Sequence, residues 1–174
     1  AIPAGFRPNG LPFGVTLIAP AMAEESLTAT AQAFLNEPAA TALPNGFVEV
    51  AVLGAHLSGM PLNHQLTSRG AYLRETTRTS PEYRFYALAN STPPKPGLEF
   101  SPGMNGPGIE VEIWAIPQSE FGSFVAAIPA PLGIGTAKLA SGREVKCFIA
   151  EPYALATATD ITRFGGWRAY MASR

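Results

Sequence analysis

Apolar and polar residues alternate in short stretches along this chain, and the stretches change character near residue 46. Ahead of that point, residues 13–18 read as one short strand after an opening rich in Gly and Pro. Residues 23–35 read as a helix. Glu24 and Glu25 fall in its first turn, where the helix dipole favours anions, and Leu27, Ala31, Phe34 and Leu35 fall on one face. Residues 37–46, EPAATALPNG, combine two prolines with small residues and read as a linker at a domain boundary.

Beyond the linker the pattern is mainly β. Phe47, Val48, Val50, Val52 and Leu53 form a mostly β-branched run bounded by Gly46 and Gly54, which predicts a short strand. Residues 71–79 and 83–88 are Thr/Tyr-rich runs separated by Ser80-Pro81-Glu82, the spacing of an antiparallel hairpin. Residues 109–116 alternate Ile109, Val111 and Ile113 against Glu110, Glu112 and Trp114. That alternation predicts a strand with one buried face and both glutamates solvated. Trp114 breaks the polar face and reads, like Trp167, as a packing residue. Residues 119–128 predict a short helix stopped by Pro129 and Pro131. Residues 136–139 and 144–150 flank Ala140-Ser141-Gly142-Arg143 as a second hairpin. Asp160 opens a helix over residues 161–172, weakened by about 1 kcal/mol for each glycine of Gly165-Gly166. Six or seven short strands with short helices predict an α+β domain: a small, mainly antiparallel β-barrel or curved sheet, preceded by a separate strand and helix.

Composition narrows the function classes. Only 14% of the 174 residues are charged and 47% are hydrophobic, so much of the surface must be weakly polar, as in a piece that packs against something. A net charge of −1 with no Lys/Arg cluster argues against nucleic-acid binding. Apolar stretches are short and broken by Pro or Gly, and no basic segment opens the chain, so neither a membrane span nor a signal peptide is expected and the placement is cytoplasmic. The single cysteine, Cys147, cannot form an intrachain disulfide and reads as a buried thiol. His56 and His64 stand eight residues apart with no Asp nearby, which is no metal-ligand set, and no cofactor is expected.

The chemistry gathers after the first strand of the β region. Gly54 and Gly59 let the backbone turn sharply and expose amide N–H groups that can form an anion-binding nest, with His56 between them. The plain alternative is a strand followed by a loop with a surface histidine.

Two resemblances extend this reading. GLPFGVTLIAPAMAEESLTATAQAF, residues 10–34, resembles the C-terminal end of an amidase-signature enzyme. That family's Lys-Ser-Ser triad and Gly/Ser-rich signature are absent here, so amide hydrolysis is not assigned to this chain. From residue 47 to 174 the chain resembles the C-terminal domain of allophanate hydrolase, on the blocks LGAHLSGMPLN, GAYLRETTRTSPEYRFYAL, PGIEVEIWAIP and FGGWRAYM. An amidase tail ahead of such a domain is the order that enzyme implies, giving residues 1–36 as amidase tail, 37–46 as linker and 47–174 as the C-terminal domain. The resemblance implies a γ-glutamylcyclotransferase-like fold, whose first strand ends in a loop that holds a ligand carboxylate on backbone amides. Leu53-Gly54-Ala55-His56 stands in that place. The cyclotransferase carboxylate has no counterpart, because residues 122–132 contain no Asp or Glu and Glu120 comes too early. Glutamyl cyclisation is therefore not expected.

The resemblance implies the second step of allophanate breakdown, in urea or cyanuric acid catabolism: metal-independent decarboxylation of N-carboxycarbamate. A site for that small dicarboxylate must hold one carboxylate and deliver a proton to nitrogen. The amides of Gly54, Ala55 and Leu57 suit the first task, and His56, with an unperturbed pKa of about 6.5, suits the second. Tyr83 is a candidate phenolic donor, with a core position as its alternative. Asn63 and Tyr72 are candidates to orient substrate, and Arg74 or Arg84 to fork onto the second carboxylate; Arg78 lies beside them. His64 reads as a surface residue. By strand parity Tyr72, Arg74 and Thr76 share one face, and Tyr83 and Phe85 share another. Partners implied are the substrate, the amidase domain of the same parent chain and, through an uncovered amidase tail, a second copy of the chain. A different class of function stays open: an assembly module that braces or dimerises the amidase, with His56 incidental.

Overall fold

The computed structural model describes residues 2–20, 24–35, 43–89 and 91–174, and the chain divides into two compact units, residues 1–44 and 45–174. In the first, β1 (Ile2–Phe6) and β2 (Pro12–Val15) pair antiparallel around a turn closed by Arg7 N–H on Leu11 O. Gly10, at φ 80°, supplies the left-handed residue of that turn. Pro3 and Gly5 break any alternation in β1, which is why the sequence pattern shows only the second strand. α1 (Glu24–Leu35) covers the helix that the pattern predicts. Most of the linker, residues 37–42, lies outside the described residues. Exposed apolar side chains concentrate in this unit: Phe6, Leu11, Phe13, Ile18 and Phe34 are 41–89% exposed.

The second unit is α+β with two sheets. β3 (Phe47–Val52), β4 (Tyr72–Arg78), β7 (Glu110–Pro117), β8 (Leu132–Lys138) and β9 (Glu144–Ala150) form a five-stranded sheet in the order β4-β7-β3-β9-β8. β5 (Tyr83–Ala87), β6 (Pro96–Phe100) and β10 (Thr159–Asp160) form the other, in the order β10-β5-β6. β3 lies at the centre of the larger sheet, antiparallel to β7 and parallel to β9, with Val50, Ala51 and Val52 fully buried. A β-branched run suits that position because both its faces pack against other side chains. α3 (Gln118–Ala126) starts directly after β7 and ends ahead of Pro129. β8 and β9 pair as the predicted hairpin, closed by Leu139 N–H on Arg143 O. The predicted terminal helix is split by Gly165, at φ 63°, into a 3₁₀ turn (Thr162–Phe164) and α5 (Trp167–Ala172). α2 (His64–Thr67) and α4 (Pro152–Leu155) are single turns without a sequence signal. Among the described residues no helix is long and apolar enough to cross a membrane.

Three expectations are corrected. No closed barrel forms among the described residues: the edge strands β4 and β8 meet only in an isolated bridge between Thr79 and Leu139. The hairpin expected over residues 71–88 does not form, because β4 pairs with β7 whereas β5 pairs with β6 and β10. The chain crosses between sheets at Thr79 and Ser80, both buried, where Ser80 N–H donates to Lys138 O and Ile109 N–H to Thr79 Oγ1. Those bonds replace the hairpin ladder. Lastly, β7 has no solvated face, since Glu112 is 3% exposed and Trp114 5%.

Candidate functional site

The loop after β3 forms one wall of a cavity of about 220 Å³. Leu53, Gly54, Ala55 and His56 line it from that loop, Leu62 and Gln65 from the turn before β4, and Pro93, Lys95 and Pro96 from the approach to β6. Residues 127–129, just past α3, complete it together with Leu132 and Phe148. Among these lining residues Lys95 is the single charged side chain, and no carboxylate faces it. The loop fits so closely because position 54 has no side chain: a Cβ there would sit 2.4 Å from Pro96 Cδ and 2.6 Å from Cγ.

His56 is half-buried in an aromatic corner. Its ring stacks on Phe148 with centroids 5.0 Å apart and meets the edge of Phe124 at 5.5 Å. Nε2 lies 2.9 Å from Gln65 Oε1. A carboxamide oxygen only accepts, so Nε2 carries the hydrogen and Nδ1 is the acceptor of a neutral imidazole. Burial pushes the His56 pKa below its ordinary 6.5; the Gln65 bond works the other way, and the charges of Lys95 and His64 add to the lowering. The ring therefore rests neutral near pH 7. Its carbonyl accepts from Asn63 Nδ2 at 2.8 Å, and Leu62 N–H donates to Ala55 O at 2.8 Å, which ties the loop down.

Gly54, Ala55 and His56 are thus brought together in the cavity wall, and the remaining candidates fall elsewhere. Leu57 is fully buried and its N–H donates to Gly54 O at 3.0 Å, closing the loop instead of facing the cavity. Asn63 acts on the loop backbone through its amide. Tyr83 is 4% exposed, packs against Phe100 and accepts the Lys138 N–H at 3.0 Å, away from the cavity wall. Tyr72 lies against Phe47, with ring centroids 5.5 Å apart. Arg74 pairs with Glu49, Nε to Oε1 3.5 Å. A register shift between Leu73 and Glu75 makes it the extra residue of a bulge, so Thr76 does not stay on its face. Arg84 is exposed on β5, and Arg78 donates to Gly108 O and Gly165 O at 3.0 and 3.2 Å.

Sequence reasoning missed Lys95, Gln65 and Phe148. Lys95 stands in a Pro-rich loop without periodicity, and its one local sign is a lone cation between prolines. Gln65 had a signal, a polar residue in the same short segment as Asn63.

Residues 48–172 match the family described as Allophanate hydrolase C-terminal domain. Urea amidolyase of Saccharomyces cerevisiae is 38% identical over an alignment 197 positions long, covering 98% of this chain and 11% of that protein. Among solved structures, allophanate hydrolase of Kluyveromyces lactis is 35% identical with a TM-score of 0.71, covering 98% of this chain and 32% of that one. A uropathogenic E. coli-specific protein is 30% identical with a TM-score of 0.67, covering 74% of this chain and 98% of that one. The chain thus spans about a ninth of the length of the curated relatives it matches.

Proposed function

Because the chain belongs to the allophanate hydrolase C-terminal domain family, we propose that the cavity beside His56 binds N-carboxycarbamate and speeds its decarboxylation, the step that follows amide cleavage of allophanate in urea or cyanuric acid catabolism. The observation that carries this reading is a small cavity lined by one lysine, one histidine and no carboxylate, a lining suited to a small dianion. Lys95 holds one carboxylate and the amides of Gly54 and Ala55 the other. This echoes the carboxylate-holding loop expected of a γ-glutamylcyclotransferase-like fold, with the loop again ending the first strand of the main sheet.

In the reaction the bond from nitrogen to one carboxylate breaks, CO₂ leaves, and the electron pair stays on nitrogen. A proton delivered there gives carbamate, which then breaks down to ammonia and CO₂. His56 rests neutral, but two negative charges arriving beside it favour the imidazolium and raise its pKa. Binding therefore loads the proton that the step consumes. Phe148 and Phe124 keep the ring oriented and partly dry; dryness by itself disfavours the imidazolium, but it strengthens the pairing of that imidazolium with a bound dianion.

The test is a ¹³C NMR time course of labelled allophanate with a separately supplied amidase at mildly alkaline pH. The wild-type chain drains the N-carboxycarbamate signal, and His56→Ala loses roughly 10²- to 10⁴-fold of that acceleration. Equal decay with wild type, with the variant and with no added chain refutes the reading.

A second reading concerns residues 1–44, where the exposed Phe6, Leu11, Phe13, Ile18 and Phe34 favour a docking role. Of these, residues 1–36 are proposed as the tail of the parent chain's amidase-signature domain, joined through the linker of residues 37–46 to the C-terminal domain of residues 47–174. Apart from that domain the full chain self-associates, and a chain of residues 45–174 stays monomeric in sedimentation velocity. A monomeric full chain refutes this.

A further inference from the structure

The cavity accounts for His56 but not for the carboxylate buried on the neighbouring strand. Glu112 Oε2 accepts from Ser58 N–H at 2.8 Å, Ser58 Oγ at 2.9 Å and Trp114 Nε1 at 3.0 Å, while Oε1 accepts from Arg168 at 2.7 Å. Burial pushes the Glu112 pKa up, yet the bonds from Arg168, Ser58 and Trp114 outweigh it and hold the carboxyl below the ordinary range, so it stays ionised. Arg168, from α5, reaches Glu110 at 2.9 Å with its other arm and also donates to Ser58 O at 2.9 Å. All three polar groups of Ser58 are thereby held, two residues beyond His56.

An ion pair whose carboxylate is buried while its guanidinium stays partly exposed is a poor way to gain stability, since an apolar replacement of similar volume often does as well or better. Its use here lies in geometry. We propose that Glu112, Arg168 and Ser58 form a positioning clamp that fixes the His56 loop against the five-stranded sheet, making the C-terminal helix part of the site's working geometry. These are positioning residues, and their functional weight rests on the reading of His56 as the proton donor. Arg168 suits the role because one guanidinium forks onto two carboxylates and a carbonyl, a set of directions that a lysine ammonium does not reproduce.

The experiment uses the whole 174-residue chain with ¹⁵N-labelled histidine. The His56 ring is titrated by NMR, and malonate, in which a CH₂ replaces the NH of N-carboxycarbamate, is the binding probe. In Ser58→Ala and Glu112→Gln the His56 pKa climbs back toward its ordinary 6.5, and malonate binding weakens by up to roughly a hundredfold, the scale of a misplaced site group. Arg168→Lys falls between these and wild type. Leu139→Ala, a core truncation just past the end of β8, lowers the melting temperature but keeps both His56 readouts. If Glu112→Gln fails to fold, Ser58→Ala, which leaves the Glu112–Arg168 pair intact, decides alone. Folded Ser58→Ala with wild-type His56 pKa and malonate affinity overturns the clamp. If wild type binds no malonate, the proposed function falls, while the His56 titration still decides the clamp.

Discussion

Replacing Gly54 by alanine tests how the cavity wall is built. The added Cβ would lie 2.4 Å from Pro96 Cδ and 2.6 Å from Cγ, whereas carbon atoms rest about 3.5–4.0 Å apart, so loop and ring must separate by about 1 Å. The φ of Gly54 lies outside the left-handed region, and the whole effect is steric. Pro96 has no flexible end to swing aside. It is buried, pairs with Ala87 in the small sheet, and follows Lys95, whose carbonyl accepts the Leu88 N–H at 3.0 Å. Overpacking of this kind costs about 1–3 kcal/mol, which for a chain of this size lowers the melting temperature by roughly 2–12 °C. Because the displaced ring carries Lys95 away from His56, malonate affinity falls as well.

Thermal unfolding by circular dichroism and calorimetric titration with malonate measure the two effects, and two other glycines separate the causes. Gly122 sits in α3 with nothing within 4 Å of its notional Cβ, so Gly122→Ala gains about 0.5–1 kcal/mol. Gly59 is equally open but holds φ +77°, so Gly59→Ala loses about 1–2 kcal/mol through the backbone alone. If Gly54→Ala melts and binds malonate like wild type, the close approach of Pro96 does not shape the site and the reasoning fails.

Lys95→Met weakens malonate binding roughly ten- to hundredfold, the scale of a charge-assisted contact, with little change in melting temperature; unchanged affinity in the same titration refutes the anchor role. Stability falls on acidification in two windows, read from urea midpoints against pH. The folded state keeps His56 below its ordinary 6.5, so stability present above that value is lost as pH falls through the folded pKa, and His56→Gln abolishes this window. Glu112 is held below its ordinary 4.5, so a second loss begins as pH falls through that value and ends below the folded pKa. Malonate binding runs the other way for His56, since the bound state raises its pKa; affinity declines as pH rises through the bound-state value. Cys147 is fully buried with its thiol pushed up to about 12, so the native chain resists a thiol-directed disulfide reagent near pH 8 and reacts only in denaturant. Rapid labelling of the native chain refutes that burial.

What the sequence shows and what it hides divide along a physical line. β3 and the loop after it are legible because the information is local: a β-branched run between glycines, then a second glycine turn around a histidine. The β8–β9 hairpin is legible for the same reason. The parallel pairing of β3 with β9 is not, because nothing in either strand's own pattern names a partner so far along the chain. Ser80-Pro81-Glu82 has hairpin spacing, yet whether the strands on either side pair depends on bonds from Ser80 to Lys138 and from Ile109 to Thr79, which only the folded chain supplies. Thr76 is misplaced by counting because one bulge at Arg74 resets strand parity.

Glu112 is the instructive case. Alternation assigns it to a solvated face on the assumption that one side of a strand meets water, but β7 runs between β3 and β4 with both faces covered. Trp114, two residues on and therefore on the same face, already contradicts a solvated face. An indole buried beside a carboxylate needs an acceptor for its N–H, and that carboxylate in turn needs a cation, which requires a distant arginine to reach it. Followed through, Trp114 demands Glu112, Glu112 demands Arg168, and the spare valences of that pair are the ones that hold Ser58. The chain of unmet hydrogen bonds thus leads from a single misfit in the alternation to the backbone of the His56 loop, which is where a clamp must act if α5 matters to the chemistry.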